Sequence, residues 1–116
     1  MSTRSWIGVK QPDGRVKAVY CQYDSDNNFQ CLRKNYDTYD KVIDLINQGD
    51  MSCLGLDIEE CDFYIRDHKE DPLRNSAASY ISIAEFLMTC HEDYTFLFDD
   101  DEWRWRKWNN KLTKKV

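Results

Sequence analysis

Five side chains of the sequence are of the types that bind zinc: Cys53, Cys61, His68, Cys90 and His91. Structural zinc sites usually hold their ligands in pairs two to four residues apart. Here seven residues separate Cys53 from Cys61, six separate Cys61 from His68, and Cys90 and His91 are neighbours that point to different faces. The spacing favours a protein without a cofactor. Zinc binding by these five residues is the alternative.

Nucleophilic catalysis would need a serine or cysteine beside a base and a group that orients the base. The chain has two histidines, and nothing in the sequence places either of them beside one of the five thiols. The carboxylate runs "DIEECD" and "DDDE" are typical of solvated turns rather than of acid–base pairs. The sequence also has no glycine-rich phosphate loop. We therefore predict that the chain is not an enzyme.

Acidic and aromatic side chains point instead to recognition of another protein. Aromatic residues are common anchors of protein interfaces, and seven tyrosines with four tryptophans exceed what one small core needs. Carboxylates would speed the encounter with a basic partner. The predicted partner contacts are Asp57, Glu59, Glu60, Asp99, Asp100, Asp101, Glu102 and Trp108. They favour a partner with a basic, nucleic-acid-binding surface; the alternative is that the acids only confer solubility.

The charges are divided unevenly along the chain. The formal net charge is −5 at pH 7, but residues 103–116 contain six bases and no acid, which leaves residues 1–102 at −11. A nucleic-acid binder needs a positive field where phosphates approach, and the acids at 99–102 lie within a Debye length of about 8 Å of the first bases. We expect no direct binding of nucleic acid. Two alternatives are kept: nucleic-acid binding through the basic tail at 109–116, and nucleotide binding, which would need the thiols and histidines.

The segment "DDDEWRWRKW" at residues 99–108 predicts a turn followed by the last strand of a sheet. Side chains alternate between the two faces of a strand, so Trp103 and Trp105 share one face while Arg104 and Arg106 share the other. We predict that the tryptophans face the core and that the arginines face solvent. Trp108 falls on the arginine side and is expected to be half exposed, and residues 109–116 are expected to be frayed.

Two further strands are predicted near the N-terminus and one directly before the acidic run. Residues 1–23 predict a β-hairpin, because alternating segments flank "QPDG", whose proline, aspartate and glycine suit a tight turn. "YTFLFD" at 94–99 pairs with the last strand in a second hairpin. Residues 61–67 predict a short middle strand, with residues 49–60 and 68–79 as loops.

Two helices are predicted between these strands. Residues 37–49 have apolar residues at helical spacing, with Asp37 placed as the cap and Gly49 as the stop; a shorter helical segment is predicted at 29–36. Ser82 and Glu85 have the spacing of a capping box, which begins a second helix with Ile83, Phe86, Leu87 and Cys90 along one face.

The order of elements predicts a single α+β domain over residues 1–116. Strand pairs interrupted by helices, without regular strand–helix alternation, favour an antiparallel sheet. In this prediction the N-terminal and C-terminal hairpins and the middle strand form that sheet, and the two helices pack on one face. The chain has no apolar segment of about 18 residues that could span a membrane, and its first residues lack the apolar core of a secretory signal.

Three short motifs recur in one group of known sequences. The first is a T-R-S-x-I-x-V opening, followed by an acid–glycine turn and an aliphatic-Tyr-Cys strand; here it is matched at residues 3–9, at Asp13 and Gly14, and at residues 19–21. The second is a Gly-Asp helix end with a Ser-x-Leu-Gly loop, matched at residues 49–55. The third is a Tyr-x-x-Leu-Phe hairpin with a tryptophan, matched at Tyr94, Leu97, Phe98 and Trp103.

By these motifs the chain resembles a family of small, mostly uncharacterised proteins encoded by bacteriophages and prophages. Relatives carry a histidine after Tyr-Cys, where this chain has Gln22. The resemblance implies a phage accessory protein in the cytoplasm of a bacterial host. It also implies stoichiometric inhibition of a host defence nuclease, such as a CRISPR effector complex.

Overall fold

A mixed β-sheet forms the centre of the computed structural model, which describes residues 3–108 and 110–113. The strands are β1 Ser5–Lys10, β2 Val16–Cys21, β3 Met51–Cys53, β4 Asp62–Phe63, β5 Ala78–Tyr80, β6 Tyr94–Asp99 and β7 Glu102–Lys107. The helices are α1 Ser25–Asn35, α2 Tyr39–Asn47, α3 Tyr64–His68, α4 Pro72–Asn75 and α5 Ile83–Thr89. One 3₁₀ turn spans Ile58–Glu60. The α+β class predicted from the sequence is confirmed.

The two terminal hairpins lie side by side in the sheet. The strand order is β4-β3-β2-β1-β6-β7, and β5 pairs with the outer edge of β2 beside β3. Both hairpins are antiparallel, as predicted, but β1 runs parallel to β6, with Ser5 opposite Tyr94 and Val9 opposite Phe98. The prediction of an antiparallel sheet is therefore wrong, because a contact between the two ends of the chain makes the sheet mixed.

Helices cover both faces of the sheet. On one face α1 and α2 pack over Ile7, Val19 and Phe96, and on the other α5 packs its Phe86 against Leu97 and the other residues of a second core. The prediction that two helices share one face is therefore wrong for α5. The central strands are apolar on both faces, and a sheet of that kind must be covered on both.

Local signals account for the ends of the longer helices. Thr38 caps α2, because its side chain accepts a hydrogen bond from the Lys41 N–H, so the cap lies one residue after the predicted Asp37. Gly49 follows α2 with a φ of +91°, which suits the predicted stop. The Ser82 hydroxyl accepts from the Glu85 N–H at 3.1 Å at the start of α5, which confirms the predicted cap.

The segment between α2 and α5 is more structured than the sequence predicts. Met51 pairs with Cys21, which makes a strand of part of a predicted loop. The predicted strand at 61–67 is limited to Asp62 and Phe63, because α3 begins at Tyr64. Elements of two to five residues carry too little periodicity to be read from sequence.

The end of β7 is held by residues that follow it. Thr113 donates its backbone N–H to the Trp105 carbonyl at 2.8 Å and accepts the Trp105 N–H on its hydroxyl at 3.1 Å. Leu112 packs against the core beneath α5. These two residues of the segment predicted to be frayed are therefore held against the domain, whereas residues 109 and 114–116 lie outside the described residues.

Candidate functional site

The parallel pairing of the central strands β1 and β6 creates a cleft at their carboxyl ends. Both strands end there, β1 at Lys10 and β6 at Asp99. After β1 the chain turns to β2 on one side, and after β6 it turns to β7 on the other side, so the two connections diverge. Diverging connections of neighbouring parallel strands leave a crevice beyond the carboxyl ends of those strands, a common place for ligands in open sheets.

The cleft has a volume of about 450 Å³. Its lining residues are Lys10, Gln11, Pro12, Tyr39, Phe98, Asp99, Asp100 and Asp101. The turn after β1 supplies Gln11 and Pro12, the start of α2 supplies Tyr39, and the turn after β6 supplies the acids. Carboxylates thus lie beside the half-buried ring of Tyr39 in one concave surface, whereas Phe98 is buried in the core and contributes little accessible area.

Asp99 supports this site from inside the protein. It is 8% exposed, and its carboxylate lies 3.0 Å from a guanidinium nitrogen of Arg104 and 3.7 Å from the Lys10 ammonium. Charge-assisted hydrogen bonds of this kind fix side-chain geometry. The structure therefore assigns Asp99 to internal ion pairs, although the sequence proposed it as a contact for a partner.

Asp100 and Asp101 are the exposed acids of the cleft. Their φ angles of +56° and +60° lie in the left-handed region, as a type I′ hairpin turn requires at both central positions. Aspartate tolerates this conformation better than most residues. The hairpin register, with Asp99 opposite Glu102, therefore holds both carboxylates at the rim of the cleft.

The remaining predicted contacts do not join this cleft. Asp57, Glu59 and Glu60 belong to the 3₁₀ segment that precedes β4, where the Asp57 side chain accepts the Glu60 N–H at 3.0 Å. The strands β4 and β7 are opposite edges of the sheet. Trp108 is 61% exposed, but it follows the far end of β7, roughly 17–20 Å from the acidic turn along a six-residue strand.

The last strand places its tryptophans as predicted and its arginines differently. Trp103 and Trp105 belong to the core beneath α1 and α2, and the Trp103 indole donates to the Tyr36 carbonyl at 2.8 Å. Arg106, however, is 6% exposed, so the prediction that it faces solvent is wrong. The reason is that α5 covers the face on which Arg106 lies.

The proposed zinc ligands are distributed over both faces of the sheet. Cys61 belongs to the core under α1 and α2, whereas Cys90 belongs to the core under α5. The His91 ring contacts the Met88 carbonyl at 2.7 Å, and Cys53 lies in β3. In the part of the chain that the structure describes, no three His, Cys, Asp or Glu side chains form a group that could hold a metal ion.

His68 instead contacts a carboxylate that also contacts a serine. Its Nε2 lies 2.8 Å from Asp62 Oδ2, and the Ser52 hydroxyl donates to the same oxygen. The carboxylate lies between serine and histidine, so the imidazole cannot take the serine proton, as a nucleophile–base pair requires. This trio therefore serves to connect β3, β4 and α3.

The buried thiols are held in their protonated form. Burial raises the pKa of the Cys21 thiol to about 11, and it raises the pKa of the Cys61 and Cys90 thiols as well. The Cys61 sulfur also accepts the Gly55 N–H at 3.1 Å and lies 3.5 Å from the Tyr36 hydroxyl. A thiol must lose its proton to act as a nucleophile, so these cysteines serve packing.

The sequence revealed the acids of the cleft but missed Lys10, Tyr39 and Phe98. These three lie on separate elements, and only the parallel β1–β6 pairing and the position of α2 bring them together. Comparisons of the chain with protein-family models, with curated proteins and with solved structures found no match. Within residues 3–108 and 110–113, no helix combines the length and the apolar character needed to cross a membrane.

Proposed function

We propose that this protein binds another protein stoichiometrically through the cleft at the carboxyl ends of β1 and β6. The observation that carries the proposal is the pairing of two exposed carboxylates, Asp100 and Asp101, with the half-buried aromatic ring of Tyr39 in one cleft. A lysine or arginine of the partner has both an apolar stem and a charged end. The cleft offers a surface for each.

The supports beneath the turn favour binding with little loss of conformational entropy. The buried Asp99 is fixed by Arg104 and Lys10, and the turn itself is part of a six-pair hairpin register. A preformed site loses less conformational entropy on binding than a mobile loop does. Carboxylates at its rim also accelerate the encounter with a cationic surface.

A basic surface that binds nucleic acid is the partner surface we propose. The motifs at residues 3–9, 49–55 and 94–98 support a phage origin by resemblance alone. On that basis we propose action in the cytoplasm of a bacterial host, against a defence nuclease such as a CRISPR effector complex. The chain would occupy the effector surface that otherwise receives nucleic acid, without catalysing a reaction and without a cofactor.

The test is capture of effector complexes from bacterial cells by the wild-type chain and by a variant whose turn is neutral. Asp100→Asn with Asp101→Gly removes both charges and keeps residues that type I′ turns prefer. We expect this variant to fold normally and to capture at least about tenfold less partner. The loss of two charged contacts should weaken the binding free energy by at least about 1.4 kcal/mol, which corresponds to a tenfold higher dissociation constant.

Asp44→Asn with Glu70→Gln is the matched control, because it removes the same charge from exposed acids that are not among the predicted partner contacts. Capture by this control should equal that of the wild type. Undiminished capture by the neutral-turn variant, with captured effector still unable to bind its nucleic acid, would show that another surface carries the activity. Failure of the wild-type chain to capture any effector would reject the wider proposal.

A further inference from the structure

A second concave surface lies on α1, away from the acidic cleft. It has a volume of about 400 Å³ and is lined by Phe29, Gln30, Arg33 and Lys34. Arg33 and Lys34 belong to the last turn of the helix and are exposed. In the described part of the chain neither of them forms an ion pair with a carboxylate, whereas Lys10, Arg15, Lys41 and Arg104 all do.

The apolar side of this surface is made of aromatic rings. Phe29 stacks on the buried Phe96 with ring centres 6.3 Å apart, and it lies 5.9 Å from Trp105. Tyr94 stacks on the same Phe96 at 5.9 Å. The outer rings of this cluster, Phe29, Tyr94 and Trp105, are each half-buried, so they are held by the core and still have accessible atoms.

Bases surround these rings. The Arg33 guanidinium lies over the Phe29 ring at 5.5 Å. Lys107 is exposed, pairs with Tyr94 across the hairpin and therefore projects from the same face as Trp105. The acids nearest in sequence to these groups are Asp26 in the first turn of α1, Asp37, which forms an ion pair with Lys41, Asp93, whose carboxylate accepts the Arg4 N–H at 3.0 Å, and Glu102 at the start of β7.

The acidic turn is far from the part of this surface that β6 and β7 supply. Tyr94 and Lys107 lie at the opposite end of the β6–β7 hairpin from Asp100 and Asp101. The strand length puts roughly 17 Å between them, about twice the Debye length of roughly 8 Å at physiological salt. The negative net charge of the whole chain therefore does not exclude a positive field around Tyr94 and Lys107. Arg33 and Lys34 lie nearer to the start of β7, because Tyr36 at the end of α1 accepts the Trp103 indole N–H at 2.8 Å, and there Asp99 is already paired with Arg104 and Lys10.

We propose that this surface, formed by Phe29, Arg33, Lys34, Tyr94, Trp105 and Lys107, binds single-stranded nucleic acid. Unpaired bases stack on the accessible aromatic rings, and the cations meet the phosphates on either side. A duplex keeps its bases stacked on each other and cannot use the rings. The assignment goes beyond the proposed protein-binding cleft and does not depend on it.

The test is fluorescence anisotropy of labelled oligonucleotides of about 15 nucleotides, near the upper end of known single-strand site sizes. Oligothymidine, oligouridine and a DNA duplex are titrated with the full chain at salt concentrations from about 50 to 200 mM. We expect saturable binding of the single strands that weakens with salt, and weaker binding of the duplex. The DNA and RNA arms show which sugar is preferred.

Two variants separate this surface from non-specific charge effects. Arg33→Glu with Lys34→Glu should weaken single-strand binding by at least about tenfold and lower the salt slope by about 1.4, since each lost phosphate contact removes about 0.7. Lys69→Glu with Arg74→Glu makes the same charge change at exposed positions outside this surface and should alter affinity less than about threefold. Phe29→Leu keeps an apolar side chain in the core and should weaken binding about fivefold by removing a stacking surface.

Several results would overturn the proposal. They are absence of single-strand binding at the lowest salt, equal binding of the duplex, and equal losses in the two double variants. Competition by polyglutamate as effective as that by unlabelled oligothymidine would also overturn it, because the surface would then bind any polyanion. Circular dichroism of each variant identifies loss of folding, and an unfolded Phe29→Leu variant leaves the charge variants to decide.

Discussion

The guanidinium of Arg106 donates to the backbone carbonyl of Cys90 at 2.9 Å, and so connects the last strand of the sheet to the end of α5. The same nitrogen donates to the Leu87 carbonyl at 2.5 Å. Helices end with carbonyl groups that have no partner within the helix. A buried cation supplied by β7 satisfies two of them, and it places positive charge at the negative end of the helix dipole.

Arg106→Met should destabilise the fold by about 2–3 kcal/mol, because the Leu87 carbonyl loses the Arg106 donor and the Cys90 carbonyl keeps only the longer hydrogen bond from the Thr95 hydroxyl at 3.4 Å. Chemical denaturation of the variant measures this loss. Lys107→Met is the matched control, since Lys107 is exposed on the same strand and should change stability by less than about 0.5 kcal/mol. A loss below about 1 kcal/mol for Arg106→Met would mean that water replaces the guanidinium at the helix end.

Gly8→Ala should destabilise the protein by about 1–3 kcal/mol through overpacking. A Cβ at this position would lie 2.9 Å from Cζ of Phe86 and 3.2 Å from Cγ1 of Val16. Phe86→Leu removes the ring atoms of Phe86 that the new methyl group meets and leaves the Val16 contact. In a double-mutant cycle measured by urea denaturation, the two changes should therefore be less destabilising together than their sum, by about 1 kcal/mol. Strict additivity would show that backbone movement absorbs the methyl group.

The features that the sequence predicts correctly are local ones. Both hairpins are signalled by their own turn residues, and α5 by its cap and by the spacing of Ile83, Phe86, Leu87 and Cys90. The parallel contact of β1 with β6 joins the two ends of the chain, and no alternation within either strand encodes it. The mixed strand directions of the sheet and the placement of α5 on its second face depend on such long-range contacts, so they could be seen only in the structure.

The candidate sites show the same division. Asp100 and Asp101 were evident as an acidic run, but their aromatic neighbours Tyr39 and Phe98 come from other elements. The sequence pattern also predicted that Arg106 faces solvent, because the alternation of side chains along a strand identifies two faces without showing what covers each face. Only the position of α5 shows that Arg106 is buried.

Asp50→Asn should reduce the loss of stability that the wild type shows between about pH 4 and pH 6. Burial raises the pKa of the Asp50 carboxyl from 3.8 to about 6, against the lowering effect of the Tyr20 N–H, which Asp50 Oδ1 accepts at 2.9 Å. A raised pKa in the folded state means that the stabilisation is complete below about pH 4 and is lost as the pH rises through about 6. Asparagine keeps the acceptor without ionising.

The expected gain for Asp50→Asn at pH 7 is roughly 1 kcal/mol relative to pH 4, because solvent screening at this half-buried side chain reduces the full effect of the pKa shift. Urea denaturation of both proteins between pH 4 and pH 8 measures it. Asp44→Asn, at an exposed position of α2, is the control and should show no such change. A difference between Asp50→Asn and the wild type that stays constant with pH would contradict the account.

His68→Gln should remove the contribution of the His68–Asp62 contact to the free energy of unfolding, and this contribution is largest within a limited pH range. The hydrogen bond with Asp62 raises the pKa of His68 above 6.5, and the Ser52 hydroxyl followed by His68 lowers the pKa of Asp62 below 3.8. The histidine contribution is complete below pH 6.5 and disappears as the pH rises through the raised value; the aspartate contribution is complete above 3.8 and disappears as the pH falls through the lowered value. Wild type and variant should therefore differ most between about pH 4 and 6, and the difference should shrink as the pH rises through the raised pKa of His68. Denaturation midpoints across this range measure the difference. His91→Gln is the control, because the His91 ring contacts the Met88 backbone carbonyl and not a carboxylate.

NMR titration of His68 gives a second readout. Asp62→Asn should lower the pKa of His68 toward 6.5, and an unchanged titration would show that the carboxylate does not hold the proton on the ring.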